Sequence, residues 1–217
     1  MKVWDLPLRV FHWSFMLCVI GAIGSGKMGN WDIHERFGLA IMGLVSFRII
    51  WGFIGSHTAR FRNFIKSPRA FITTAKGLLK KQSSNEAGHS AVGGYATLAL
   101  LFIPLMMALT GSFSTDDILF DGPFYHLMPE WAKQAGTIHH YGEKLIFLII
   151  AAHLGALLYY YFRLRKNLIK PMVTGKADYA TGEEARLSKG KTMFGLFLLA
   201  GLVALAQSAT QLRPDFF

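Results

Sequence analysis

Five stretches of this sequence are long and apolar, and no other feature limits the fold as much. They run from about Leu6 to Gly24, Trp31 to Ile54, Val92 to Phe113, Ile138 to Phe162 and Met193 to Ala209. A helix needs roughly 20 residues to cross ~30 Å of hydrocarbon, which four of the stretches reach and the fifth, at about 17, approaches. Lipid offers backbone N–H and C=O groups no partner, so each span has to be helical. The expected fold is all-α, an integral membrane helical bundle of four core transmembrane helices with a fifth at the C-terminal end. Composition agrees: 52% of residues are hydrophobic and 17% charged, where a soluble domain carries roughly a quarter charged.

The net charge of +10 raises nucleic-acid binding, but that function gathers basic residues over one polar surface. Here they fall in blocks between the apolar runs. Arg60, Arg62, Lys66, Arg69, Lys76, Lys80 and Lys81 follow the second span. Arg163, Arg165, Lys166, Lys170, Lys176, Arg186, Lys189 and Lys191 follow the fourth. The opposite loops hold Lys27 and Lys133 with Asp116, Asp117, Asp121 and Glu130. That bias places the N-terminus and both basic segments in the cytoplasm and makes the bilayer, not nucleic acid, the partner. The first apolar run follows Lys2 and Arg9 and ends in small residues, as a signal peptide would, but His12 and Trp13 within it favour a spanning helix. Ser67-Pro68 is a helix start. Phe64, Phe71, Ile72, Leu78 and Leu79, set among lysines and arginines, suggest an amphipathic segment on the cytoplasmic membrane face, with a solvated loop as the alternative. Residues 1–170 are expected to form the core and 171–217 a cytoplasmic linker with the last span. A single cysteine, Cys18, permits no disulfide within the chain, no thiolate cluster and no covalent CxxCH haem attachment.

Ionisable residues inside a span are rare and functional by default. Four of the eight histidines, His12, His34, His139 and His153, lie in or at the spans. One alone could be an interhelical hydrogen-bonding residue, so the arrangement has to carry the argument. His139 and His153 fall within ~40° of one helix face and ~21 Å apart along it. By depth, His12 pairs with His153 near the cytoplasmic face and His34 with His139 near the outer one. Two level imidazole pairs make two axial clamps for two non-covalent, b-type haems. With both axial positions filled, such haems move electrons and leave no site for oxygen. Gly38, Gly142 and Ala156, one turn from the ligands, leave room for a flat macrocycle or simply pack helices. Arg9, Arg36 and Arg48 suit haem propionates, or are snorkelling residues. His89, expected to open the third span, suits a propionate or a quinone. His140 is turned ~100° from His139, so only one of the two faces the core. His57 and His126 read as loop residues. A haem-free proton or metal transporter would need carboxylates beside mid-membrane histidines, which the spans do not provide.

The opening Trp4-Asp5-Leu6-Pro7-Leu8-Arg9-Val10-Phe11-His12-Trp13 resembles the start of the bacterial cytochrome b561 family and the related b-type subunits of nickel hydrogenases. Arg48-Ile49-Ile50-Trp51-Gly52-Phe53-Ile54-Gly55 is similar to the end of their second helix. Gly88-His89, Gly93 and Ala108-Leu109-Thr110-Gly111 are similar to their third, and His139 with His153 to their fourth. The likeness covers roughly Trp4 to Lys170. The family usually has histidine then glutamate where this chain has His139-His140, and the spacing to His153 favours His139. The resemblance implies a di-haem inner-membrane cytochrome carrying electrons between the quinone pool and a periplasmic redox partner, a hydrogenase or c-type cytochrome. It could serve as an electron-transfer protein or as a quinone oxidoreductase subunit. Some short members instead oxidise superoxide and reduce ubiquinone, although the acidic outer loop here would repel an anion. Arg9, Arg48 and His89 are then expected near a quinone at the inner haem. The loop from Ser114 to Glu130, with Phe120, Phe124, Tyr125 and Trp131, is expected to dock the partner.

Overall fold

Helices begin where side chains or turns can take up the loose N–H groups of a first turn, and that sets the boundaries here. The computed structural model describes residues 1–82, 85, 87–115 and 120–212. Among them eight α-helices follow in order: α1 (Leu6–Lys27), α2 (Trp31–Ile54), α3 (Phe61–Phe64), α4 (Pro68–Leu79), α5 (Ala91–Phe113), α6 (Ala132–Arg163), α7 (Ile169–Thr174) and α8 (Lys189–Gln207). Two isolated bridges, Lys2 with Lys176 and Thr115 with Asp121, are the β pairing found among the described residues. Helices α1, α2, α5, α6 and α8 are long and apolar enough to cross a membrane. The five apolar runs of the sequence are therefore five helices, and the fold is all-α as expected.

Asp5 caps α1, its Oδ1 accepting from Leu8 N at 2.8 Å. Ser67 caps α4 as expected, accepting from Ala70 N at 3.3 Å with Pro68 as the first helical residue. Ile72 and Leu79 of α4 are exposed, which leaves the apolar side an interfacial helix needs. Three helix starts differ from expectation. Ser90 Oγ accepts from Gly93 N at 3.2 Å, so α5 opens at Ala91 and His89 precedes the span rather than beginning it. The 3-10 turn Pro129–Trp131 runs straight into α6, which starts at Ala132 and carries polar Lys133, Gln134 and Thr137 ahead of its apolar part. Ser188 Oγ accepts from Lys191 N at 3.2 Å, which starts α8 at Lys189, ahead of Met193.

The chain gathers into two compact units. One comprises Met1–His12, Arg48–Leu100 and Ile149–Leu196; the other comprises Trp13–Phe47, Leu101–Leu148 and the chain from Phe197 onward. In the first unit the N-terminal residues are laced to the segment after α7. Val3 N donates to Gly175 O at 2.7 Å, Ala177 N to Met1 O at 3.0 Å and Ala185 N to Lys2 O at 2.9 Å. Gly175 ends α7 at φ +79, and a Cβ there would sit 3.0 Å from Trp4 O, so both conformation and space require glycine. Trp51, Leu8, Phe11 and Phe64 are buried in this unit. A Cβ on Gly195 of α8 would come within 2.6 Å of the Trp51 ring and 2.8 Å of Pro7. In the second unit Leu39, Leu44, Val45 and Phe47 are buried. A Cβ on Gly43 would lie 2.7 Å from the Leu202–Val203 backbone, so α2 and α8 pack backbone to backbone there, as small residues allow within membranes.

Candidate functional site

In the second unit α2 supplies His34 and α6 supplies His139, with imidazole centroids 5.8 Å apart and ring planes at 89°. Two imidazoles that shared one metal ion at ~2 Å each would have centroids roughly 6 Å apart, close to the separation seen here. His34 Nδ1 lies 2.8 Å from Ala22 O, and His139 Nδ1 lies 2.8 Å from Met107 O. A carbonyl can only accept, so each Nδ1 carries the proton and each Nε2 keeps the lone pair a metal needs. Both histidines line a cavity of about 440 Å³, walled by Ile41, Pro104, Met107, Ala108 and others. Gly38 also lines it, with nothing within 4 Å of where its Cβ would be. Buried Glu35 and the Lys27–Glu143 ion pair bring charge to the wall.

The structure separates other candidates from this pair. His139, not the exposed His140, meets the His34 ring. Arg36 is exposed and absent from the cavity wall, because two residues turn it ~200° around α2 from His34. Gly142 makes room for Met107 Sδ rather than for a macrocycle, and Ala156 is exposed. Sequence reasoning missed two glycines that back the imidazoles. A Cβ on Gly26 would lie 2.9 Å from His34 Nδ1, and one on Gly111 would lie 2.9 Å from His139 Cε1. Nothing in a single sequence says which glycine faces which histidine until the helices are paired.

In the first unit α1 supplies His12 and α6 supplies His153, both half-buried. With His89 and Arg48 they are close enough to act on one another electrostatically. His89 packs between Trp4 and Phe64, with ring centroids at 4.8 and 4.7 Å. Burial lowers its pKa to about 3, with the Arg48 cation, His12 and His153 adding to the effect, so it is neutral. Its Nδ1 has no hydrogen-bond partner among the described residues. Arg48 is 1% exposed, its guanidinium 4.7 Å from the Phe61 ring centroid and 5.7 Å from that of Phe64. Its Nη1 and Nη2 have no hydrogen-bond partner among the described residues. Arg9 gives Nη1 to Val173 O at 2.8 Å while its Nε has no partner among them. A buried donor without an acceptor costs about 1–3 kcal/mol. The loose donors on Arg9 and Arg48 would suit a bound carboxylate such as a haem propionate.

Asp5, read from sequence only as part of a motif, holds this unit together. It is buried and accepts from Trp51 Nε1 at 3.2 Å and from Ser56 Oγ at 2.5 Å, in addition to capping α1. Its carboxylate also attracts the Arg48 cation. An aspartate three residues before Leu8, ahead of an apolar run with Pro7 in its first turn, was the available cap signal. His57 pairs with Glu183 at 3.3 Å, and His126 lies in a short 3-10 turn. Of the acidic loop, Asp121 accepts from Thr115 Oγ1 at 2.5 Å, while Asp116 and Asp117 lie outside the described residues. No group of three or more His, Cys, Asp or Glu side chains gathers to hold a bare metal ion among the described residues. The His34–His139 pair would supply two nitrogens to an iron whose other ligands come with a macrocycle.

No curated protein and no solved structure matches the chain. Residues 3–175 match the family described as prokaryotic cytochrome b561, a stretch that runs from the start of the chain to the end of α7 and includes all four span histidines. The chain therefore belongs to the prokaryotic cytochrome b561 family, membrane-embedded helical b-type cytochromes of electron transfer.

Proposed function

We infer that this chain binds two haems and passes electrons between the quinone pool and a periplasmic redox protein, a hydrogenase or c-type cytochrome. The observation that carries the reading is the His34–His139 pair, 5.8 Å apart with each Nδ1 committed to a backbone carbonyl. Haem iron with two imidazole ligands carries single electrons and offers oxygen no position. His34 and His139 would hold one iron, their carbonyl partners at Ala22 and Met107 fixing tautomer and raising ligand basicity. His12 and His153 would hold the other, with Arg48 and Arg9 giving their loose N–H groups to propionates. Arg36, exposed on the far side of α2, is left out of the set.

The blocks of lysine and arginine after α2 and α6 favour a cytoplasmic N-terminus in a bacterial inner membrane. His89, neutral and with an uncommitted Nδ1, suits a quinone carbonyl at the His12–His153 site. Superoxide oxidation is disfavoured because the only lysine on the described cavity wall, Lys27, is paired with Glu143, and buried Glu35 adds negative charge. Stopped-flow reduction by a quinol in lipid nanodiscs tests the reading. His89→Ala should keep its haem content and be reduced about tenfold more slowly, a loss of one hydrogen bond's worth of binding. An unchanged rate would remove the quinone from this site.

A further inference from the structure

Beyond the histidine pairs, the turn after α2 and the segment before α8 form an open polar pocket of about 500 Å³. Arg60, Arg62, Arg186 and Lys191 line it together with His57, Glu183 and Glu184. The acidic residues are already engaged. Glu184 accepts from Arg186 Nε at 2.8 Å, and Glu183 lies 3.3 Å from His57. Arg60, Arg62 and Lys191 make no ion pair among the described residues. Arg60 Nε donates to Gly55 O at 3.0 Å, which fixes the guanidinium and leaves its terminal nitrogens for a ligand. Fixed guanidinium groups with a nearby ammonium are suited to phosphate oxygens, which accept forked hydrogen bonds.

The surroundings say which phosphate. The cavity lies where α2 ends and α8 begins, and both helices are long and apolar enough to cross a membrane. Phe53 on the last turn of α2 is 69% exposed, and Met193 and Phe194 near the start of α8 are 50% and 52% exposed. A soluble phosphate would use only the cations. A phospholipid would use both features, its headgroup among the cations and its chains along these apolar side chains. We propose that this pocket binds the phosphodiester headgroup of an acidic phospholipid. None of the four paired histidines lines this pocket, so its test does not depend on the haem assignment.

The full-length protein is exchanged into detergent with equal amounts of phosphatidylglycerol and phosphatidylcholine, and retained lipid is measured by native mass spectrometry. Wild type should retain phosphatidylglycerol about tenfold better than phosphatidylcholine, and the Arg60→Gln/Arg62→Gln/Lys191→Gln variant should lose that preference. Arg62→Gln alone, at an exposed position, should lower it part-way and guards against misfolding of the triple variant. Millimolar inorganic phosphate should leave the retained lipid in place. Equal retention by wild type and both variants overturns the proposal, as does absence of any preference in wild type. Release of the lipid by inorganic phosphate would make this a soluble-phosphate site instead.

Discussion

Gly111 and Gly38 both serve the His34–His139 cavity, but they do so differently, and that difference is testable. Gly111 backs the His139 ring, so Gly111→Ala pushes a methyl against Cε1 at 2.9 Å and should cost that site its haem, lowering haem per chain by about half. At Gly38 nothing lies within 4 Å of the Cβ position, so the first carbon of a larger side chain meets no neighbour there. Gly38→Leu should therefore fold normally, with an unchanged elution profile, yet lose the same haem. Retention of full haem by Gly38→Leu would mean that the cavity does not hold a macrocycle. Asp5 is a third residue with a consequence. Asp5→Ala removes a cap worth ~1 kcal/mol and two hydrogen bonds, from Trp51 and Ser56, worth about 1 kcal/mol each. Thermal unfolding in detergent should report a loss of about 3 kcal/mol; a loss below 1 kcal/mol would contradict the network. The histidines were legible in the sequence because an ionisable residue stands out against apolar neighbours. Gly26, Gly111 and the reach of Asp5 were not, since each depends on a partner distant in sequence.

At the scale of elements, hydropathy located the spans but not the helix ends. Apolar runs mark where lipid is, whereas Ser90, Ser188 and the Pro129–Trp131 turn decide where hydrogen bonding begins. The Ser67-Pro68 start was readable because cap and proline are adjacent in the chain. Helix α8 looked marginal by length, yet Gly195 and Gly43 seat it directly on Trp51 and on the α2 backbone. Gly195→Val should overpack that contact and destabilise the protein by about 1–3 kcal/mol. Gly201→Val on the same helix, with nothing within 4 Å of its Cβ position, should be close to neutral. Equal melting temperatures for the two variants would show that α8 packs differently.

In the whole molecule, the number of histidine pairs would set the number of haems. Depth along the spans grouped His12 with His153 and His34 with His139, and the two units gather the same residues: the first pair in one, the second in the other. His153→Ala and His139→Ala should each leave one haem, with different redox midpoints in the two variants; the same midpoint in both would mean that the pairs are wrongly drawn. Partner identity was not legible in the sequence, because the chemistry that selects a partner follows from no spacing of residues. The most direct measurement is haem b per polypeptide in the purified wild-type protein, by pyridine haemochrome absorbance against amino-acid analysis. Two haems per chain are expected. A value of one would remove one of the histidine pairs, and a value near zero would contradict the account altogether.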